Sequence, residues 1–192
     1  MTSRETLFRY CNINTSLLPW LESGGNQECQ VIYEVEGDIM LSRAQVIVQS
    51  VAVGDAMTRG IARKLNERYP SMVEAFRAWC EETNPEPGEI WLWEAADKSQ
   101  VINLITHEGD DDPARLRRPN KIAVHRCLRR LANLVAEQRI KSLAMPRIAS
   151  GNSGLDWVDV RGMIHSQLGE VLAPIFIYVA QLEGQVAFEP GI

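Results

Sequence analysis

Three short stretches of this sequence combine glycine with small polar or acidic residues in a way that suits a phosphorylated, hydroxyl-rich ligand. The first, Glu36-Gly37-Asp38-Ile39-Met40, follows a strand-like run. Its carboxylate can accept a hydrogen bond from an adenine amino group or a ribose hydroxyl, or can simply cap its own turn. The second, Val53-Gly54-Asp55-Ala56-Met57-Thr58-Arg59-Gly60-Ile61-Ala62, joins a buried-strand pattern to a helical one. Glycine there admits close backbone approach, and the amides of a helix N-terminus attract phosphate. The third holds Ala149-Ser150-Gly151-Asn152-Ser153-Gly154 between an apolar run and a helix pattern. Such a junction can cradle a diphosphate with backbone N–H groups. None of the three is a Walker loop or a GxGxxG fingerprint.

The elements that position these loops read from periodicity. Strand composition falls at 31–36, 45–50, 89–94, 100–106, 142–148 and 175–179. Met57, Ile61, Leu65 and Tyr69 lie four apart and predict one helix face over 55–69, stopped by Pro70. Ser71 and Glu74 predict a capping box for a second helix burying Val73, Phe76 and Cys80. A long helix from Asn120 to Gln138 is expected to face Ile122, Leu128, Leu131 and Val135 inward, and a fourth helix is expected over 157–171. Strands alternating with helices predict a three-layer α/β/α sandwich around a mostly parallel six-stranded sheet. Ligands bind such sheets at the carboxyl ends of the strands, which draws attention to the loops after Glu36, Ser50, Thr106 and Ile148.

Composition bounds the rest. A chain of 192 residues with 45% hydrophobic and 23% charged residues suits one globular domain and excludes a disordered or collagen-like chain. We expect an extension at 1–30, the folded domain at 31–182 and a tail at 183–192. Twenty basic against 25 acidic residues leave a net charge of -5, poor footing for nonspecific nucleic-acid binding outside a local patch. Cys11, Cys29, Cys80 and Cys127 show no metal-ligand spacing, and no metal or cofactor is expected. His125 and His165 lie within helix patterns and read as structural. The N-terminus lacks a secretory apolar core, and no apolar run approaches the roughly 18 residues of a membrane span. A cytoplasmic or nuclear protein without membrane contact is the expectation.

Taken together, the loops resemble the macro domain family, whose members bind ADP-ribose. Gly37-Asp38-Ile39 is similar to the family's adenine-binding turn, and Met57-Thr58-Arg59-Gly60-Ile61-Ala62 to its first phosphate loop. Tyr69-Pro70 is similar to the aromatic–proline pair after the family's first-loop helix, whereas Leu104-Ile105-Thr106 and Met145-Pro146-Arg147-Ile148 with Gly151, Gly154 and Trp157 resemble one branch. That branch holds terminal ADP-ribose protein glycohydrolases, DNA ADP-ribosyl hydrolase antitoxins and yeast-type ADP-ribose-1''-phosphate phosphatases. The resemblance implies that Asp38 holds adenine and Ile39 packs on it. It further implies that Met57, Thr58, Arg59, Gly60 and Ile61 wrap the diphosphate and distal ribose. Ile148, Ser150, Gly151, Asn152, Ser153, Gly154 and Leu155 would close over the diphosphate from the other side.

Departures from the pattern matter equally. Asparagines near the distal ribose are replaced by Gln49 and Ala52, and a loop glycine by Thr58. The branch's lysine nucleophile is replaced by His107, and an aspartate of the second loop by Ser153, whereas Asp156 matches a residue of the antitoxins. Imidazole forms no Schiff base, so a lysine-adduct route is excluded at His107. With an ordinary pKa near ~6.5, His107 could instead act as general base on water, beside Glu108, Asp110, Asp111 and Asp112. His107, Ser153 and Asp156 are therefore the candidate catalytic residues. Arg117, Arg118, Arg126 and Arg130 offer a possible contact surface for ADP-ribosylated nucleic acid or an acidic partner. Two further readings are a non-catalytic ADP-ribose reader and a macro-like scaffold that has lost the nucleotide.

Overall fold

The computed structural model describes residues 31–109, 118–151 and 154–192. Six strands form one sheet: β1 (Ile32–Gly37), β2 (Val46–Ala52), β3 (Ile90–Glu94), β4 (Gln100–His107), β5 (Leu143–Pro146) and β6 (Ile175–Gln181). Four helices follow them: α1 (Gly60–Arg68), α2 (Pro70–Thr83), α3 (Lys121–Gln138) and α4 (Trp157–Leu168). The spatial order is β1-β6-β5-β2-β4-β3, parallel except for the antiparallel β3–β4 edge. The expected α/β sandwich is the fold.

The sheet carries apolar layers on both faces, as a parallel sheet between helices must. Val48, Ile102 and Leu104 pack under Leu128 and Leu131 of α3 and Ile164 of α4. Val51 and Ile105 pack under Leu65 of α1 and Phe76 of α2, with Trp91 and Trp93 at the rim. Trp91 stacks on Trp79 at 5.9 Å between ring centroids. Toward β1 the α1-side face meets α1 at Ile61. Residues 183–192 return across it, burying Ala187 against Val35, Phe176 and Tyr178.

The return is latched by Glu189, only 3% exposed. Its carboxylate accepts from Ser42 Oγ at 2.5 Å, Arg43 N–H at 2.9 Å and Tyr178 O–H at 2.8 Å. Burial first, then the adjoining carboxylate, push the Tyr178 phenol well above its ordinary pKa, so it stays a donor. Cys80 and Cys127 are buried free thiols, and burial pushes Cys127 up to about 12, which makes it a packing residue.

Four local expectations are corrected. The first helix begins at Gly60, because Asp55 accepts from Met57 N–H at 2.7 Å and Met57 takes a left-handed φ of 52°. The second begins at Pro70, whose missing N–H and fixed φ suit a first turn, and no side chain caps it. Ile122 is 70% exposed, and the inward positions of α3 include Ala123, Val124 and Cys127 instead. The fourth helix ends at Leu168, before Gly169.

Candidate ligand site

The chain runs from β2 outward to β4 in one direction and then returns through β5 and β6 in the other. The β2–β5 boundary is therefore the topological switch point, where a crevice is expected at the carboxyl ends. These two strands pair only at Val46–Leu143 and Ile47–Ala144 and then diverge. Above the divergence lies a cavity of about 520 Å³. Its wall comes from Ile39 after β1, Thr58 to Ile61 with Arg63 and Lys64 on α1, Pro146 ending β5 and Gln181 ending β6.

At one end of the crevice, Asp38 caps a short 3-10 turn, accepting from Met40 N–H at 3.1 Å. It also accepts from Gln181 Nε2 at 2.6 Å and Gly184 N–H at 3.1 Å, and Lys64 Nζ lies 3.8 Å away. Burial alone pushes its carboxyl up. Those hydrogen bonds and the lysine outweigh burial and hold it below the ordinary carboxylate value. Gly37 precedes it for steric reasons: at φ +154° a Cβ would stand 2.9 Å from Ala187 Cβ and from Gln185 O.

Along the first loop, Thr58 and Arg59 are exposed on the wall, and Gly60 takes φ +54° to turn the chain into α1. Among the described residues no side chain caps α1, and its first turn lines the cavity with Arg59, Arg63 and Lys64. Backbone donors, a helix dipole and basic side chains together suit phosphate oxygens. Met57 points down and is fully buried.

Beneath Met57 lies Gln49, equally buried, donating to Asn103 Oδ1 at 2.7 Å and reaching Met57 Sδ at 3.7 Å. Gln49 therefore forms a floor under the loop and presents no surface to a ligand here. Ala52 is half-buried where β2 ends beside His107.

The second loop is held by short backbone and hydroxyl contacts. Ser50 Oγ accepts from Ala149 N–H at 2.9 Å, and Gly154 N–H donates to Gly151 O at 2.7 Å. A Cβ at Gly154 would stand 2.7 Å from Ser150 Cα and 2.8 Å from Gly151 N, so only glycine closes this turn. Ser150 spends its hydroxyl on Arg147 O at 2.9 Å, and Ile148 is buried below. Leu155 packs against the core from the loop's end. Asp156 caps α4, accepting from Val158 N–H at 2.8 Å, and does not line the cavity. Asn152 and Ser153 lie outside the described residues, as do Asp110, Asp111, Asp112 and Arg117.

His107 ends β4 at the opposite end from Asp38. Its carbonyl accepts from Val53 N–H at 3.1 Å, and Gly109 runs so close to Val53 O that a side chain there would clash. The loops after β2 and β4 are thereby clamped together. Burial lowers the His107 pKa below 6.5, against the opposing pull of Asp55, so the ring is neutral at physiological pH. Its Nδ1 lies 3.0 Å from Thr106 Oγ1, itself 3.5 Å from Val51 O. With the hydroxyl donating to that carbonyl, Nδ1–H donates to the hydroxyl and Nε2 keeps its lone pair. The ring does not line the cavity wall.

The basic helix turns partly inward: Arg130 donates to Gly88 O at 2.7 Å and Arg126 to Pro87 O at 3.4 Å, both half-buried. Arg118 is exposed. Sequence reasoning missed Arg63, Lys64 and Gln181. Arg63 stands one helical turn beyond Arg59, and Gln181 stands at the one inner carboxyl end not inspected, that of β6.

The family model for the macro domain matches residues 51–164. A DNA ADP-ribosyl glycohydrolase of Mycobacterium tuberculosis is 29% identical over 147 residues, 73% of this chain and 40% of that protein. The chain thus spans about two fifths of the length of that relative. Among solved structures, the macrodomain of Mycobacterium tuberculosis DarG superposes with a TM-score of 0.70 at 25% identity, covering 78% of this chain and 97% of that one. Thermosipho africanus DarTG in complex with ADP-ribose gives 0.69 at 23% identity, covering 82% and 43%. Asp38 and Gln181 fall outside the residues that the family model matches, whereas the two phosphate-type loops and His107 fall inside them. With a family model matching more than half of its residues, the chain belongs to the macro domain family.

Proposed function

We propose that this chain binds ADP-ribose along the crevice and hydrolyses an ADP-ribosyl linkage, with ADP-ribosylated DNA as the favoured substrate. The observation that carries the reading is the wall itself. Ile39 and Gln181 line one end, with the buried Asp38 carboxylate behind Gln181, and the first-turn amides of α1 with three cations stand along the middle. A 520 Å³ cavity lies within the ordinary range for small-ligand sites. Adenine lies against Asp38 and Ile39, the diphosphate against the amides from Thr58 to Ile61 and the Gly151–Gly154 turn, and the distal ribose toward His107. DNA as the carrier rests on the relatives' names.

Chemistry at the distal ribose uses a water. His107 Nε2 takes a proton from it as its oxygen bonds to the anomeric carbon and the bond to the leaving group breaks. The proton then passes to the leaving group, restoring neutral His107. The diphosphate amides hold the ribose still for this step.

Calorimetric titration with ADP-ribose, and release of ADP-ribose from a modified oligonucleotide, test the two halves. The expected result is micromolar binding, and turnover removed by His107→Ala with binding intact. Binding without turnover in the wild-type protein selects a second reading, an ADP-ribose reader. The position of His107 off the cavity wall favours that alternative. Absence of binding contradicts both.

A further inference from the structure

The carboxyl end of β6 supplies a side chain that competes for the base edge. Gln181 Nε2 donates to Asp38 Oδ1 at 2.6 Å, and Gln181 Oε1 accepts from Ile39 N–H at 3.5 Å. A primary carboxamide carries its N–H donor and its acceptor on one carbon. A 6-aminopurine carries the same pair on C6, as its amino N–H and the ring nitrogen bonded to the same carbon. The other Asp38 oxygen is committed elsewhere, to Gly184 N–H and the Lys64 ammonium. The exchangeable edge is therefore the one Gln181 now fills.

We propose that Gln181 is a resident occupant of the base subsite, an internal mimic of the amino-purine edge that must swing out before an adenine nucleotide can bind. The assignment rests on the ADP-ribose reading above and adds two consequences. Gln181 lowers the apparent affinity by the fraction of time it holds the edge. The same edge selects amino-type rings: an oxo-type ring such as hypoxanthine offers the reverse pattern, setting its carbonyl against a carboxylate and its N–H against an N–H. Gln181 is exposed at the end of its strand, so it can leave without unpacking the core.

The test titrates wild type, Gln181→Ala and Gln181→Met with ADP-ribose and with its hypoxanthine counterpart. The side-chain amide of Gln181 is followed by NMR in the wild-type protein. Gln181→Met keeps the side chain's length without its amide, which separates loss of the hydrogen bonds from loss of bulk. Both variants should bind ADP-ribose about five- to thirtyfold tighter, the range of one or two ordinary net hydrogen bonds. Both variants should still prefer ADP-ribose to the hypoxanthine ligand, because the Asp38 and Ile39 edge that discriminates them is unchanged. The wild-type amide resonances should move to those of a solvated glutamine on saturation with ADP-ribose. Unchanged or weaker binding by the variants, with wild-type binding intact, overturns the mimic and leaves the ADP-ribose reading standing. Failure of all three proteins to bind overturns both.

Discussion

The two ends of the crevice are built differently. At the β1/β6 end, side chains do the work. Asp38 receives three hydrogen bonds and a lysine, and the covering segment is latched by Glu189. At the β2/β4 end and in the neighbouring loop after β5, main chain does it: Val53 against His107 and Gly109, and Gly154 against Gly151. Side-chain identity decides what binds at the first end, whereas close backbone approach decides where reacting atoms stand at the second. Substitutions should therefore act through specificity at one end and through geometry at the other.

Asp38→Ala should have the largest effect, lowering ADP-ribose affinity about a hundredfold, since it removes charge-assisted bonds worth roughly 1.5–3 kcal/mol each. Titration calorimetry reads it, and affinity within threefold of wild type would break the proposed division. Gly154→Ala should come next. The added Cβ meets backbone on three sides, and overpacking of this kind costs roughly 1–3 kcal/mol. Binding and turnover should fall about tenfold, while binding of AMP, which lacks the distal ribose, falls less.

Glu189→Leu should destabilise the fold by about 1–3 kcal/mol, because buried Tyr178 and half-buried Ser42 lose their acceptor. Urea unfolding measures it.

The ends also differ in their response to pH. Asp38 sits below its ordinary 3.8, so its contribution is complete above that pH and is lost as pH falls through its lower folded value. His107 sits below 6.5, so acidification below 6.5 protonates the unfolded chain first and destabilises the native one. Comparing wild type with Asp38→Asn and His107→Phe in urea across pH 3 to 7 separates the two windows. Any turnover should rise with pH through an inflection below 6.5.

The smallest effect is expected under the first loop. Gln49 and Asn103 bond to each other, yet Gln49 Oε1 and Asn103 Nδ2 have no partner among the described residues. Replacing both with leucine should be close to neutral in thermal melting, whereas replacing either alone should cost roughly 1–3 kcal/mol.

Much of this was legible in the sequence because the signals were local. β-branched runs marked the strands, and glycine at Gly37, Gly60 and Gly154 marked the turns where a side chain does not fit or φ is positive. What was not legible depended on contacts across long sequence separations. Gln181 meets Asp38 only because β6 pairs with β1, and Glu189 becomes a latch only when the chain returns over Tyr178. Gln49 looked like a ligand residue by position along β2, but the alternation of a parallel strand turns it under Met57. Ile122 matched the helical period yet sits in the first turn of α3, where it is 70% exposed.

The most direct measurement is an NMR titration of the labelled chain with ADP-ribose. The account predicts saturable shifts running from Ile39 and Gln181 through Thr58–Ile61 to Gly151, Gly154 and His107. Shifts confined to α3, or no saturable shifts at all, would contradict it.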